Sequence, residues 1–325
     1  MNSKVVLIIL LLLFMRCDMK KSIPVEEGFI NVNSVELFYK IMGRGEPVVI
    51  LHGGPGFDHV HMLPFGKLAS NHKVIFYDQR ATGNSTGYAD ADSIRVDNFV
   101  EDLEWLRKKL NLEKVNIIGH SWGAGLGMFY GIKYPDNLKT LILLAPSAST
   151  EFFGQYFENI QKSTSAGDSV TLKQIEESDA FKNREIEAVQ KYFRISIKPL
   201  FYDQSLVGRL DLTFGKNTIK NQSAVADLLM KNLGNYDIHD RLSAIKCPTL
   251  IVHGDSDPLP VEAPYNVHKC IPQSKFVVLK NTGHFMFIES PVELFSIIRH
   301  FLRDDNSVAT SIPVEIEERL TSRKL

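Results

Sequence analysis

A chain of 325 residues, 44% hydrophobic and 10% aromatic, can bury one large core or a core carrying a sizeable insertion. Lys and Arg number 37 against 38 Asp and Glu, for a formal net charge of -1, so bulk charge makes no case for a nucleic-acid or polyanion partner. No low-complexity block and no repeat at a solenoid period is present.

At the start of the chain, Lys4 precedes an unbroken apolar run, Val5 to Met15, followed by Arg16-Cys17-Asp18. That run falls short of the roughly 20 residues needed to span a bilayer. A basic residue before a short apolar run reads as an export signal over residues 1–17, which places the mature chain in the periplasm or anchored at a membrane. Cys17 is the candidate lipid-attachment site, with Met15 and Arg16 standing where small residues are expected. The alternatives are an uncleaved anchor, or a start codon set upstream of a cytoplasmic enzyme. Cys247 and Cys270 read as small buried apolar side chains, and as a candidate pair if the chain is exported.

Residues 28–43, "GFINVNSVELFYKIMG", alternate apolar and polar around a turn-like Asn31–Ser34 stretch and predict an antiparallel hairpin. Short, near-continuous apolar runs follow: "PVVILHGG" (47–54), "KVIFYDQR" (73–80), "VNIIGHS" (115–121), "TLILLAP" (140–146), "PTLIVHG" (248–254) and "KFVVLKNTGH" (275–284). Runs of this kind suit strands buried on both faces, as in a parallel sheet. Helical patterns lie between them at Asp97–Leu110, Ser121–Tyr134, Val261–Cys270 and Val292–Leu302. Alternating strands and helices predict an α/β fold with a mostly parallel central sheet flanked by helices. The rhythm breaks over residues 147–240, which read as an inserted helical cap between core segments 28–146 and 241–303. Residues 304–325 read as a peripheral tail.

The chemistry concentrates at three strand ends. "GHSWGAG" (119–125) joins an apolar strand to a helix through a serine flanked by small residues. A sharp strand-to-helix turn lifts Ser121 above the sheet, and the G-x-S-x-G spacing is that of a nucleophile elbow. The helix that begins there aims its free N–H groups at the site, so the N–H of Trp122 is a candidate oxyanion donor. A serine hydroxyl needs a base to take its proton, and in an elbow fold the acid and then the histidine follow in chain order. "NTGHF" supplies His284 as the base, and "HGDSDP" offers Asp257, with Asp255 as the competitor, as the orienting acid. Both loops sit at strand carboxyl ends, where open α/β sheets bind ligands. The "HGGPG" loop, His52 to Gly56, supplies the second oxyanion donor through Gly54, or alternatively Gly53, with His52 bonding within the loop.

With "HGGPG", "DQRATGNS" (78–85) and "GHSWGAG" in that order, the sequence resembles the α/β-hydrolase superfamily over roughly residues 28–146 and 241–303. Within that superfamily it resembles the proline iminopeptidase family of serine peptidases. The resemblance implies an α/β-hydrolase fold with an inserted helical cap. It implies Ser121, Asp257 and His284 as the triad and Gly54 and Trp122 as oxyanion donors, and makes Asp78-Gln79-Arg80 a supporting loop. It also implies an aminopeptidase that releases N-terminal proline or another small residue, with cap carboxylates meeting the substrate amine. Glu151, Glu158, Glu176, Glu177, Glu185, Glu187 and, beyond the cap, Glu262 are the acids available to this role.

A carboxylic-ester or other small-molecule hydrolase on the same triad is the second reading. A carbon–carbon hydrolase and a catalytically dead binding module follow behind it. The expected partner is a small peptide or ester. No cofactor is required, and the cysteines and histidines lack metal-ligand spacing.

Overall fold

The computed structural model describes residues 23–303. The apolar run Val5–Met15, Cys17 and the tail from Asp304 lie outside the described residues, so the readings made on them stand as sequence expectations.

Strands β1 (Val25–Val32) and β2 (Val35–Met42) form the antiparallel hairpin, turning at Asn33 and Ser34, which take φ of 44° and 64°. Two consecutive positive φ values match the right-handed twist of the flanking strands. The hairpin begins three residues before the expected Gly28, because Val25 pairs with Met42. Val25, Glu26 and Glu27 are all exposed on this edge strand, so backbone bonding rather than burial defines them, and alternation carries little signal there.

Six further strands follow: β3 (Glu46–Leu51), β4 (His72–Tyr77), β5 (Val115–His120), β6 (Leu138–Leu144), β7 (Thr249–Gly254) and β8 (Ser274–Leu279). They complete one eight-stranded sheet in the order β1-β2-β4-β3-β5-β6-β7-β8, antiparallel at its first two junctions and parallel from β4 to β8. The apolar runs are continuous because both faces are covered. On β3, Val49 and Leu51 enter one core layer, and Val48 and Ile50 enter the other. Each such fully buried side chain contributes about 1.5–3 kcal/mol.

Helices α1 (Val96–Lys109) and α2 (Trp122–Lys133) cover the first face, burying Phe99, Leu103, Leu106 and Leu126. The spacing of Phe99, Leu103 and Leu106 is that of one helical stripe. Between β6 and β7, which are adjacent in the sheet, the chain makes α3 (Phe153–Ser163), α4 (Ala166–Glu177), α5 (Asp179–Lys182), α6 (Ile186–Ser196) and α7 (Lys216–Leu233). Helices α8 (Glu262–Cys270), α9 (Met286–Glu289) and α10 (Pro291–Phe301) are the last three among the described residues. A ten-residue 3-10 segment, His59–Leu68, packs Met62, Phe65 and Leu68 beside Phe295 and Ile298 on the second face.

Of the inserted helices, α7 is tightly stitched to the core. The Gly215 N–H donates to Asp58 Oδ2 at 2.7 Å, and Thr218 Oγ1 accepts the Gly83 N–H at 2.8 Å. The side-chain amides of Asn217 and Asn221 donate to the carbonyls of Ser85 and Ala81 at 2.8 and 2.9 Å. Cys247 and Cys270 are both free thiols, so the alternative pairing is not made. Among the described residues, no helix is long and apolar enough to cross a membrane.

Candidate active site

Ser121 sits at the junction of β5 and α2 with φ 55° and ψ -119°, a conformation side-chain-bearing residues rarely adopt. Its N–H donates to the Leu144 carbonyl at 2.9 Å, and its carbonyl accepts the Ala124 N–H at 2.9 Å. The turn admits no larger neighbours. A Cβ on Gly119 would collide with the Gly123 carbonyl, and a Cβ on Gly123 would collide with that of Leu51. The two glycines of the motif are therefore steric requirements of the turn.

The loops after β7 and β8 bring Asp257 and His284 together. Asp257 Oδ2 accepts from His284 Nδ1 at 2.7 Å, while Oδ1 accepts the Leu259 N–H at 2.8 Å. Both side chains are buried. Burial raises the Asp257 carboxyl, but the His284 and His253 rings and the hydrogen bonds it accepts outweigh that cost and hold it below its ordinary range. Asp255 is elsewhere: its Oδ1 accepts from the Ser256 hydroxyl at 2.9 Å and the Thr282 N–H at 3.2 Å, bracing the two loops. With Nδ1 committed to Asp257, His284 keeps Nε2 as its free nitrogen. Ser121 and His284 line the same cavity. Among the described residues, no hydrogen bond closes between the Ser121 hydroxyl and His284 Nε2, a contact that in serine hydrolases often tightens only when substrate binds.

The loop after β3 is held from behind. His52 is fully buried, its Nδ1 3.0 Å from the Gly53 carbonyl and its Nε2 accepting the Gln79 N–H at 3.0 Å. Burial pulls the His52 ring down to about 4, so it stays neutral. The Gln79 amide donates to the His52 carbonyl and accepts the Trp122 indole N–H, both at 2.8 Å, tying the loop to the elbow. Arg80 forks onto Asp102 at 2.7 and 2.6 Å, both side chains buried, and so braces α1 against this loop. Gly54, at φ +132°, lines the cavity together with Trp122, whereas Gly53 packs inward against His120. Among the described residues, the backbone N–H groups of Gly54 and Trp122 donate to no loop carbonyl or side chain.

The cavity holds about 390 Å³. Its sheet side carries Ser121, His284, Gly54 and Trp122. Its inserted side carries Phe153, Tyr156 and Phe157 from α3, and Ala226, Asp227, Met230 and Leu233 from α7, followed by Tyr236. None of Glu151, Glu158, Glu176, Glu177, Glu185 and Glu187 lines it, and Glu262 is buried at the start of α8 instead. Glu158 pairs with Lys162 at 2.6 Å and Glu176 accepts the Tyr192 hydroxyl at 2.9 Å, as solvated helix faces do. The carboxylate in the lining is Asp227, which sequence reasoning missed. Its signal was available: Ala226, Met230 and Leu233 form an i, i+4, i+7 stripe, and Asp227 stands at its edge. Among the described residues, no group of three His, Cys, Asp or Glu side chains is arranged to hold a metal.

A protein-family profile for the α/β hydrolase fold matches residues 46–291. A proline iminopeptidase from Heyndrickxia coagulans is 32% identical over 285 residues, spanning 85% of this chain and 98% of the relative. One from Saccharolobus solfataricus is 29% identical over 290 residues, spanning 86% and 93%. Among solved structures, a proline iminopeptidase from Mycobacterium smegmatis superposes with a TM-score of 0.65 at 21% identity, covering 86% of this chain and 99% of that one. An esterase from Exiguobacterium antarcticum superposes with a TM-score of 0.62 at 21% identity, covering 86% and 100%. The two structural likenesses establish the fold, and the profile and the sequence relatives establish descent: this chain is a hydrolase of the α/β-hydrolase fold family, similar within it to the proline iminopeptidases.

Proposed function

We propose that this hydrolase is an aminopeptidase releasing N-terminal proline, or another small residue, from short peptides through an acyl-enzyme at Ser121. In this reading, His284 Nε2 takes the hydroxyl proton as Ser121 Oγ attacks the carbonyl carbon. Asp257 holds the ring's tautomer and stabilises the imidazolium that forms. The free N–H groups of Gly54 and Trp122 meet the developing oxyanion. His284 then returns its proton to the departing amine, and a water attacking the ester with the same base regenerates the serine.

The observation that carries the aminopeptidase reading is Asp227, a carboxylate in the lining of a cavity otherwise walled by aromatic and aliphatic side chains on its inserted side. A substrate ammonium entering that space is costly unless an anion meets it, and Asp227 supplies one. The relatives named above support the same substrate class. The second reading, ester hydrolysis, draws on the same wall: Phe153, Phe157, Met230 and Leu233 suit a neutral apolar acyl group.

Three substrates on one preparation separate the two. The aminopeptidase reading expects proline p-nitroanilide to be cleaved with a kcat/KM about tenfold or more above that of its N-acetyl counterpart, because the blocked form forfeits the charged pairing with Asp227. A neutral aryl ester should show no such advantage over the free-amine amide. Equal rates on free and blocked proline amides, with the ester fastest, overturn the aminopeptidase reading in favour of the esterase.

A further inference from the structure

His120 is the last residue of β5, one peptide bond before Ser121, and its side chain is enclosed beneath the site. Its Nε2–H donates to the backbone carbonyl of His284 at 2.9 Å. The two imidazoles lie 4.7 Å apart between ring centroids. Phe285 and Phe287, which follow His284 in the chain, pack on the same ring at 5.5 and 5.2 Å. On its other side His120 meets the oxyanion loop: a Cβ placed on Gly53 would stand 3.2 Å from His120 Nδ1. One side chain therefore bonds to the loop of the base and lies beside the loop of the oxyanion donors, and its backbone leads into the nucleophile.

An imidazole is an expensive choice for this position. With Nε2–H given to the His284 carbonyl, Nδ1 is left as an acceptor, and among the described residues it is buried without a partner. An unsatisfied buried group of this kind costs about 1–3 kcal/mol, whereas an aliphatic side chain of similar size would pack there without that cost. The bond that the ring does make is thus the polar feature that sets it apart from an apolar filler, aromatic contacts being open to an apolar ring as well. Burial also holds the His120 ring down to about 3. It stays neutral and sets no fixed positive charge against the imidazolium that forms on His284 during acylation.

We propose that His120 is a positioning residue for the hydrolytic reaction: its Nε2–H bond to the His284 carbonyl fixes where the base loop sits relative to Ser121. This rests on the reading of Ser121, Asp257 and His284 as the catalytic set. A shift of the base by about 1 Å is enough to cost on the order of 100-fold in rate. Other bonds hold the base loop to its neighbours, from the Thr282 N–H to Asp255, the Gly283 N–H to Glu289 and the His284 N–H to the Leu200 carbonyl, and the His120 bond ties that loop to the strand leading into Ser121. His120 does not line the cavity, so its loss should alter the rate of the chemical step and leave the affinity for a bound reagent unchanged.

The test compares His120→Gln with His120→Met. The two side chains have similar length and volume, and only glutamine carries an N–H donor. The readout is covalent labelling by an alkyl fluorophosphonate, which requires no knowledge of the natural substrate. Ser121 Oγ bonds to phosphorus as the P–F bond breaks, fluoride leaves, and the serine proton passes to His284. The maximal labelling rate and the half-saturating probe concentration are measured for each protein, with Tm as a check on folding. We expect His120→Gln to label within about threefold of wild type and His120→Met to fall about 10–100-fold, with half-saturation unchanged in both. A purely structural role would not separate two variants of equal Tm. Equal loss in the two variants overturns the proposal, as does wild-type labelling by His120→Met. If His120→Met does not fold, His120→Gln alone decides: near-wild-type labelling supports the proposal, while a loss above tenfold, or failure to fold, overturns it. A wild-type protein whose probe is not on Ser121, mapped by mass spectrometry with Ser121→Ala as control, instead refutes the catalytic reading itself.

Discussion

The two walls of the cavity are built by different rules. On the sheet side the polar side chains that support the lining bond to one another: Asp257 to His284, His52 to Gln79, Gln79 to Trp122, Arg80 to Asp102. On the inserted side, Phe153, Tyr156 and Met230 are half-buried, Phe157 is 61% exposed, and Asp227 is exposed with no hydrogen bond or ion pair among the described residues. Groups that must meet a transition state gain from being fixed in advance, since nothing then has to reorganise as charge develops. Groups that select a substrate can take their final order from the substrate itself, because contact area and a counter-charge tolerate side-chain adjustment. Substitutions on the sheet side should therefore act on the rate of chemistry, and those on the inserted side on which substrate is accepted.

The strongest way to break that division is Ser121→Ala. It should lower turnover by about 10⁴–10⁶-fold on every substrate while leaving Tm near wild type. A variant keeping a tenth of wild-type activity would remove Ser121 from the chemistry. Next comes Asp257→Asn, expected to cost about 10⁴ in kcat by favouring the wrong His284 tautomer. Asp255→Asn should stay within a few-fold, since that carboxylate only braces Ser256 and Thr282. Reversed effects would transfer the acid role to Asp255.

The sheet side is also the side that could be read from sequence. Buried parallel strands write themselves as apolar runs, so β3 to β8 were visible as elements. The elbow glycines were legible because the collision of Gly119 with Gly123 is a local consequence of the turn. The loops holding Asp257 and His284 were locatable from the order of strands alone. Less local features were not legible. The 3-10 segment His59–Leu68 carries Pro64 and no regular period, so nothing marked it as ordered. The strand order, with β4 between β2 and β3, depends on which chain ends meet in space. Asp227 was missed because a search for glutamates weighed residue type, whereas entry to the lining is decided by which stripe of α7 faces α3.

Asp227→Asn sharpens the comparison from the inserted side. A hydrogen bond to a charged group contributes about 1.5–3 kcal/mol, and solvent exposure puts Asp227 at the low end of that range. The expected loss is about tenfold in kcat/KM for the free-amine proline amide, carried mainly by KM. Turnover of a neutral ester should not change. A loss of equal size on both substrates would mean that Asp227 supports the site generally and does not read the amine.

The smallest effect tests how the two walls are joined. Asp58, buried beneath the start of α7, accepts the Gly215 N–H at 2.7 Å and the Val60 N–H at 3.1 Å. Burial, reinforced by the nearby Asp78 carboxylate, pushes Asp58 up from its ordinary 3.8 to about 6, against the pull of the hydrogen bonds it accepts. The folded chain therefore binds this proton more tightly than the unfolded chain does. Stability from this group is fully present below the unfolded value and declines as pH rises through the folded one. The affected window runs from about 4 to about 6, and above it the penalty for the buried charge is constant. Asp58→Asn does not titrate, so the Tm of wild type relative to this variant should be highest near pH 4 and fall by a few degrees by pH 7, where about 1.5 °C corresponds to 1 kcal/mol at about 2.1 cal/mol/K of unfolding entropy per residue. Turnover at pH 7 should change little, because Asp58 lies outside the cavity lining. A Tm difference that is flat between pH 4 and pH 7 would show that Asp58 is ionised throughout, held so by its three donors, Gly215, Val60 and Thr218. The seam between the inserted helices and the core would then be insensitive to acid over that range.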